Sequence, residues 1–144
     1  MNISSILSTK SSEVITIGHE QTISEAISRL SHHNIGVLIV LGASGNVVGI
    51  ISERDIVRRL VEDRELLSRK VSVVMTSEVI VGVPEDEVMS VVHTMTEMRF
   101  RHIPIMDKGQ LIGIISIGDI LKAQRDQYQG QIDTLETQIM ASDE

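Results

Sequence analysis

Apolar positions along this chain follow two spacings in turn, and that succession occurs twice. Residues 14–17 form a short β-rich run. Ile23, Ala26, Ile27 and Leu30 then fall at i, i+3, i+4 and i+7, one face of a helix, and Thr22 with Glu25 three positions on makes a capping-box pattern at its start. Residues 37–41 and 47–51 are almost continuously apolar, which predicts two strands covered on both faces, and Gly42-Ala43-Ser44-Gly45-Asn46 turns the chain between them. The second strand ends at Ser52 and a helix follows. The second round reads alike: a β-rich run at 79–83, a helix carrying Val88, Val91, Val92 and Met95 with Asp86 as its cap, strands at 102–106 and 111–115 about Asp107-Lys108-Gly109-Gln110, then Ser116 and another helix.

The two rounds are a duplication. Ser12-Glu13-Val14-Ile15 returns as Ser77-Glu78-Val79-Ile80 at an offset of 65, and Gly49-Ile50-Ile51-Ser52 returns as Gly113-Ile114-Ile115-Ser116 at an offset of 64. The lost residue falls in the turn between the paired strands, where a length change is tolerated. Each copy is a β-α-β-β-α unit of about 50 residues, too small to bury much core alone. The predicted class is α/β with α+β layering: two pseudo-symmetric repeats packed together, followed by a C-terminal helix. Residues 1–66 hold the first repeat with its N-terminal segment, 67–123 the second, and 124–144 the tail. Residues 58–74 connect the repeats through a helix end, a loop and a short turn. The last helix is expected from Ile117 to about Met140, with Ile120, Leu121, Gln124, Tyr128, Ile132, Leu135 and Ile139 as an interrupted apolar stripe that Gly130 weakens.

Composition narrows the chemistry. Of the 144 residues 42% are hydrophobic and only 1% aromatic, so the core is aliphatic and rows of stacked bases have no platform. With no cysteine there is no disulfide, thiol catalysis or cysteine-ligated zinc. A net charge of −7 without a basic stripe argues against nucleic acid as partner. Residues 1–12 are polar and Ser-rich, and no apolar run approaches a membrane span. The expectation is a soluble cytoplasmic protein without membrane contact. Gly42, Gly45 and Gly49 have the spacing of a hairpin turn rather than a phosphate loop, and adjacent His32 and His33 on a helix point different ways, so no shared metal is expected.

Two Ser-x-x-Asp elements, Ser52-Glu53-Arg54-Asp55 and Ser116-Ile117-Gly118-Asp119, stand at matching strand-to-helix junctions. One reading is a plain N-cap with an acidic residue in the first turn. The other is a ligand site: free N–H groups for an anion, a Ser hydroxyl for phosphate, a carboxylate for two ribose hydroxyls. Arg99-Phe100-Arg101-His102-Ile103-Pro104 is the densest cationic spot in the chain. It suits phosphate, or equally an exposed helix C-terminus. The first copy has Asn34-Ile35-Gly36-Val37 there, without a cation, so the two sites are expected to differ in anion affinity.

These residues carry a resemblance. Gly49-Ile50-Ile51-Ser52-Glu53-Arg54-Asp55-Ile56, Gly113-Ile114-Ile115-Ser116-Ile117-Gly118-Asp119-Ile120 and Arg101-His102-Ile103-Pro104-Ile105 resemble a tandem pair of cystathionine-β-synthase-type (CBS) domains, a Bateman module, over about residues 1–123. The resemblance implies a non-catalytic regulatory module that binds an adenosyl ligand in clefts between the repeats: AMP foremost, with ADP, ATP, NAD(H) or S-adenosylmethionine as the others, and no metal required. It implies Asp55 and Asp119 on ribose; Ser52, Ser116, Arg101 and His102 on phosphate, with Phe100, Ile103 and Pro104 beside them; and Thr16, Ile17, Val81 and Val83 along the adenine pocket. Ile35 and Gly36 stand at the first copy's counterpart of the cationic stretch, and Arg54 could reach a phosphate in the neighbouring site. A disc-shaped homodimer and a separate protein target are further implications. The competing reading is a structural or interaction module that acts through its C-terminal helix. A third, weaker one is an enzyme acting on a nucleotide, for which no nucleophile–base–orienter set can be assembled.

Overall fold

The protein is described from a computed structural model covering residues 1–10 and 13–142. Ser12, which opens the repeat match, and the last two residues of the expected tail lie outside them. The elements in chain order are α1 (Ile3–Thr9), β1 (Thr16–Gly18), α2 (Ile23–His33), β2 (Val37–Leu41), β3 (Val47–Ser52), α3 (Glu53–Leu60), a 3₁₀ turn (Leu66–Ser68), α4 (Val71–Val74), α5 (Val88–Met98), β4 (His102–Asp107), β5 (Gln110–Ser116) and α6 (Ile117–Ser142). They divide into two compact units, residues 13–81 and residues 1–12 with 82–144.

In the 13–81 unit the three strands form one sheet in the order β1-β2-β3, β1 parallel and β3 antiparallel to β2. Leu38, Ile39 and Val40 are all buried, so β2 is covered on both faces as its unbroken apolar run predicts. The core joins Ile17, Leu38, Val40 and Ile51 of the sheet to Ile23, Ala26 and Leu30 of α2 and Ile56 of α3. The connector is part of it through Leu66, Val71 and Val74. Thr22 caps α2 by accepting the Glu25 N–H at 3.2 Å, but the reciprocal half of the box is absent: the Glu25 side chain takes the Thr22 hydroxyl and the Gln21 amide instead.

The second unit pairs β4 with β5. Lys108 and Gly109 at the hairpin both have positive φ, the two-residue type I′ pattern that matches strand twist. Its buried side chains include Val88, Val91 and Met95 of α5, Ile103 and Ile105 of β4, Ile115 of β5 and Ile120 of α6. Three expectations are corrected here. Residues 79–83 form no strand; their pairing with β4 is a parallel bridge at Gly82, whose N–H goes to the Pro104 carbonyl at 2.9 Å and whose carbonyl takes the Met106 N–H at 2.8 Å. The reason lies in the repeat: in the first copy the Ile39 N–H donates to the Ile15 carbonyl and extends the pairing, but its counterpart Pro104 has no N–H to give. Asp86 does not cap α5, because its carboxylate accepts the Val83 N–H at 2.9 Å and Glu87 holds the cap position. And residues 1–12 are more than a polar lead: Asn2 caps α1, the N–H groups of Ile3 and Ser4 reach the carbonyls of Asp86 and Pro84, and Ile3 and Ile6 are buried. Leu7 of α1 lies over Gly113, where a Cβ would come within 2.6 Å of it. α4 does the same for the other copy, with Met75 against Gly49.

Helix α6 runs unbroken through Gly130, as expected from Ile117 onward. Among the described residues no helix is long and apolar enough to cross a membrane.

Candidate functional site

Both Ser-x-x-Asp elements fold into the same junction. At the first, the Ser52 hydroxyl accepts the Asp55 N–H at 3.2 Å, and Asp55 Oδ2 accepts the Ser52 N–H at 3.0 Å and its hydroxyl at 2.9 Å. At the second, Ser116 Oγ accepts the Asp119 N–H at 3.0 Å and Asp119 Oδ2 accepts the Ser116 N–H at 2.9 Å. The first helical N–H is tied back to the residue before the facing strand, Glu53 to the Gly36 carbonyl and Ile117 to the Arg101 carbonyl, both at 2.9 Å. Each junction also has a second helical N–H, from Arg54 and Gly118, with no intrahelical acceptor. The capping reading of these elements is therefore correct as local structure, and it holds each carboxylate in place at its helix start.

The junctions differ in charge. Across from Ser52 the register places Val37, preceded by Gly36 with the Glu53 carboxylate against it, and Arg54 is exposed. Across from Ser116 it offers half-buried His102, opposite in the strand register, and exposed Arg101. A further cation arrives from far away in sequence: Lys10 Nζ lies 2.8 Å from Asp119 Oδ2 and 2.6 Å from the Ile114 carbonyl oxygen. No periodicity or motif marks Lys10, since it stands in the Ser-rich lead and reaches the site only because α1 docks beside β5.

Of the other anticipated residues, Ile17 is 1% exposed and its side chain belongs to the core, so any ligand contact from it must use backbone. Thr16 is half-buried and its carbonyl accepts Arg29 Nη1 at 2.6 Å. Ile35 packs half-buried against the core. Val81 and Val83 are exposed, off any strand. Phe100 is half-buried beyond the left-handed Arg99 that ends α5, while Ile103 and Pro104 are buried in β4. Among the described residues no cluster of His, Asp or Glu could hold a metal ion.

Burial, the Lys10 ammonium and Arg101 push the His102 imidazole below its ordinary pKa, outweighing the pull of Asp119. Burial alone would raise the Asp119 carboxyl, but the Lys10 and Ser116 hydrogen bonds hold it below the usual carboxylate value. Both folded values are depressed, so both groups contribute stability that is present above the unfolded pKa and lost on acidification. The melting midpoint is expected to hold steady above pH 7, to fall as pH drops below about 6.5 where unfolded histidine gains its proton, and to fall again below about 4. A pH series of thermal melts checks this, with His102→Gln expected to flatten the upper step.

Each copy carries a β-hairpin followed by a helix that a Ser-x-x-Asp junction caps, and residues 13–81 show the whole β-α-β-β-α succession. The chain belongs to the CBS-domain family: the family model, described as CBS domain, matches residues 3–62 and 70–126. It is 34% identical over 125 residues to the mitochondrial CBS domain-containing protein CBSX3 of Arabidopsis thaliana, covering 83% of this chain and 61% of that protein's length. It is similar in structure to the CBS-domain containing protein ATU1752 of Agrobacterium tumefaciens, with a TM-score of 0.81 at 38% identity over 85% of this chain and 92% of that one. It is also similar to the CBS domain pair of protein MJ0100, solved in complex with 5-methylthioadenosine and S-adenosyl-L-methionine, with a TM-score of 0.75 at 26% identity over 88% and 98% of the two chains.

Proposed function

We propose that the chain is a non-catalytic sensor that binds an adenine nucleotide at its Ser-x-x-Asp junctions and passes the occupancy to a separate protein. The observation that carries this reading is Asp119, held by its own helix cap with the Lys10 ammonium 2.8 Å from its carboxylate and His102 opposite Ser116 in the strand register. The carboxylate accepts the ribose hydroxyls; Ser116, the Gly118 N–H, Arg101 and His102 face the phosphate. Asp55, Ser52 and Arg54 serve the first junction, which lacks an equivalent cation opposite and is the weaker for anions. AMP fits best, since one phosphate matches one open donor and two cations; NAD(H), ADP and ATP are the alternatives. The bound adenosyl compounds of the MJ0100 pair support the ligand class. Binding shifts a conformational equilibrium only by its differential affinity for two states, a role suited to energy sensing in the cytoplasm. Thermal shift against AMP, ADP, ATP, NAD⁺, NADH and S-adenosylmethionine tests the reading: stabilisation by AMP is expected, and a flat response to the whole panel counts against it.

The chain is also proposed to act as a homodimer. Val57 and Leu60 of α3, Val61 just after it, and Leu121, Tyr128, Ile132 and Leu135 of α6 are exposed apolar residues, and 128, 132, 135 and 139 keep a heptad-like spacing. Twofold pairing is the commonest closed assembly, and a helix pair across the axis would cover the α6 stripe. Sedimentation is expected to show a dimer for the full chain and a weaker one for a version ending at Lys122; a monomeric full chain contradicts it. The same stripe is what favours the second reading, an interaction module working through α6, which would survive loss of nucleotide binding.

A further inference from the structure

We propose that Lys10 sets the charge class of the ligand at the Asp119 junction: its ammonium cancels the carboxylate and turns the junction from one suited to a neutral or cationic adenosyl compound into one for an anionic nucleotide. The inference rests on the nucleotide reading above. A carboxylate that binds ribose also repels phosphate a few ångströms away, and a cation seated on that carboxylate removes the conflict. Lys10 is placed to do this. Its side chain and that of Asp119 are 25% and 27% exposed, so solvent screens the pair only in part. The contact is anchored rather than casual, because α1 is tied down at its other end by the Ile3 and Ser4 backbone bonds, the Asn2 cap and two buried isoleucines.

Lys10 leaves the ligand's place open. Its ammonium and the Ser116 N–H both go to Oδ2, and Oδ1 accepts no hydrogen bond among the described residues. A ribose diol can therefore use Oδ1 while the ion pair persists. Of the three ammonium protons, one goes to Asp119 and one to the Ile114 carbonyl, which leaves one for a phosphate oxygen. With Arg101 beside it the junction carries two permanent cations against one carboxylate.

The duplication supplies the contrast. At the offset of 65, Lys10 corresponds to Met75, which carries no charge. Among the described residues Asp55 accepts hydrogen bonds from Ser52 alone, and Glu53 adds a second carboxylate nearby. Among the described residues the Asp55 carboxylate thus has no ion pair, whereas that of Asp119 has a lysine recruited from the opposite end of the chain.

The test is calorimetric titration of AMP and of adenosine into the full chain in an Asp55→Ala background, so that the Asp119 junction alone reports, with Lys10→Met, Lys10→Gln and Lys10→Arg added. The two neutral variants are expected to lower AMP affinity by at least about tenfold while adenosine changes by less than about threefold, and Lys10→Arg is expected to keep AMP binding. Circular dichroism melts of each variant confirm that it is folded before titration. Equal losses for AMP and adenosine overturn the inference, because Lys10 would then only hold Asp119 in place; a gain in AMP affinity overturns it too, because Lys10 would then obstruct the site. A background chain that binds AMP, with neutral variants that bind it unchanged, overturns the inference and leaves the nucleotide reading standing. A background chain and a parent chain that bind neither compound overturn both.

Discussion

Replacing Asp119 with alanine is expected to lower AMP affinity by on the order of 3 kcal/mol, the loss of two hydrogen bonds to a charged acceptor, while the chain still folds. The asymmetry follows from what Asp119 does in each state. In the free protein it accepts the Ser116 N–H and pairs with Lys10 near the surface. A part-exposed pair of that kind is worth at most about 1 kcal/mol, and the Ser116 hydroxyl still caps the helix by accepting the N–H of residue 119. In the complex it is expected to accept the ribose hydroxyls. Calorimetry on the purified variant, beside a urea denaturation curve, separates the two quantities. Unchanged affinity removes Asp119 from the site; a loss of folding equal to the loss of binding makes it a structural cap.

The largest expected effect on stability is at the other end of β4. Ile105→Ala is expected to cost about 3–4 kcal/mol, the range for truncating a buried isoleucine where the surroundings collapse only partly. Ile105 is 0% exposed. It stands opposite Gly113 in the hairpin register and forms the parallel bridge with Gly82. Because Pro104 and Gly82 already leave this edge with little pairing, the isoleucine side chain supplies what the missing strand does not: a Cβ on Gly82 would lie 3.1 Å from its Cδ1. Ile105→Val, which removes one methyl, is expected to cost about 1 kcal/mol. Equilibrium denaturation reads both; an Ile105→Ala cost below that of Ile105→Val contradicts the packing described.

What could be read from sequence and what could not divide along a physical line. The duplication, β2 through β5 and the two serine caps were legible because each depends on neighbours within a few residues: apolar runs, glycine turns, Ser-x-x-Asp spacing. The 79–83 strand failed because its pairing is decided by one distant proline lacking a donor, and the Asp86 cap failed because that carboxylate had a nearer N–H in Val83. Helix α1 was hidden by its serines; Ile3, Ile6 and Leu7 have helical spacing, but a single turn of it is below what periodicity can distinguish. Lys10 was hidden more completely, since its meaning comes from a partner 109 positions away. At the site, Asp119, Ser116, Arg101 and His102 are gathered in one place as the motifs suggested, whereas Ile17 is committed to the core.

Mass spectrometry of the full chain, purified without added nucleotide and sprayed under native conditions, tests the central claim most directly. The expected spectrum contains the chain plus the mass of an adenosyl compound, and that increment disappears in the Asp55→Ala, Asp119→Ala double variant. A bare chain that also gains no mass when AMP, ADP, ATP, NAD⁺ or S-adenosylmethionine is added would contradict it.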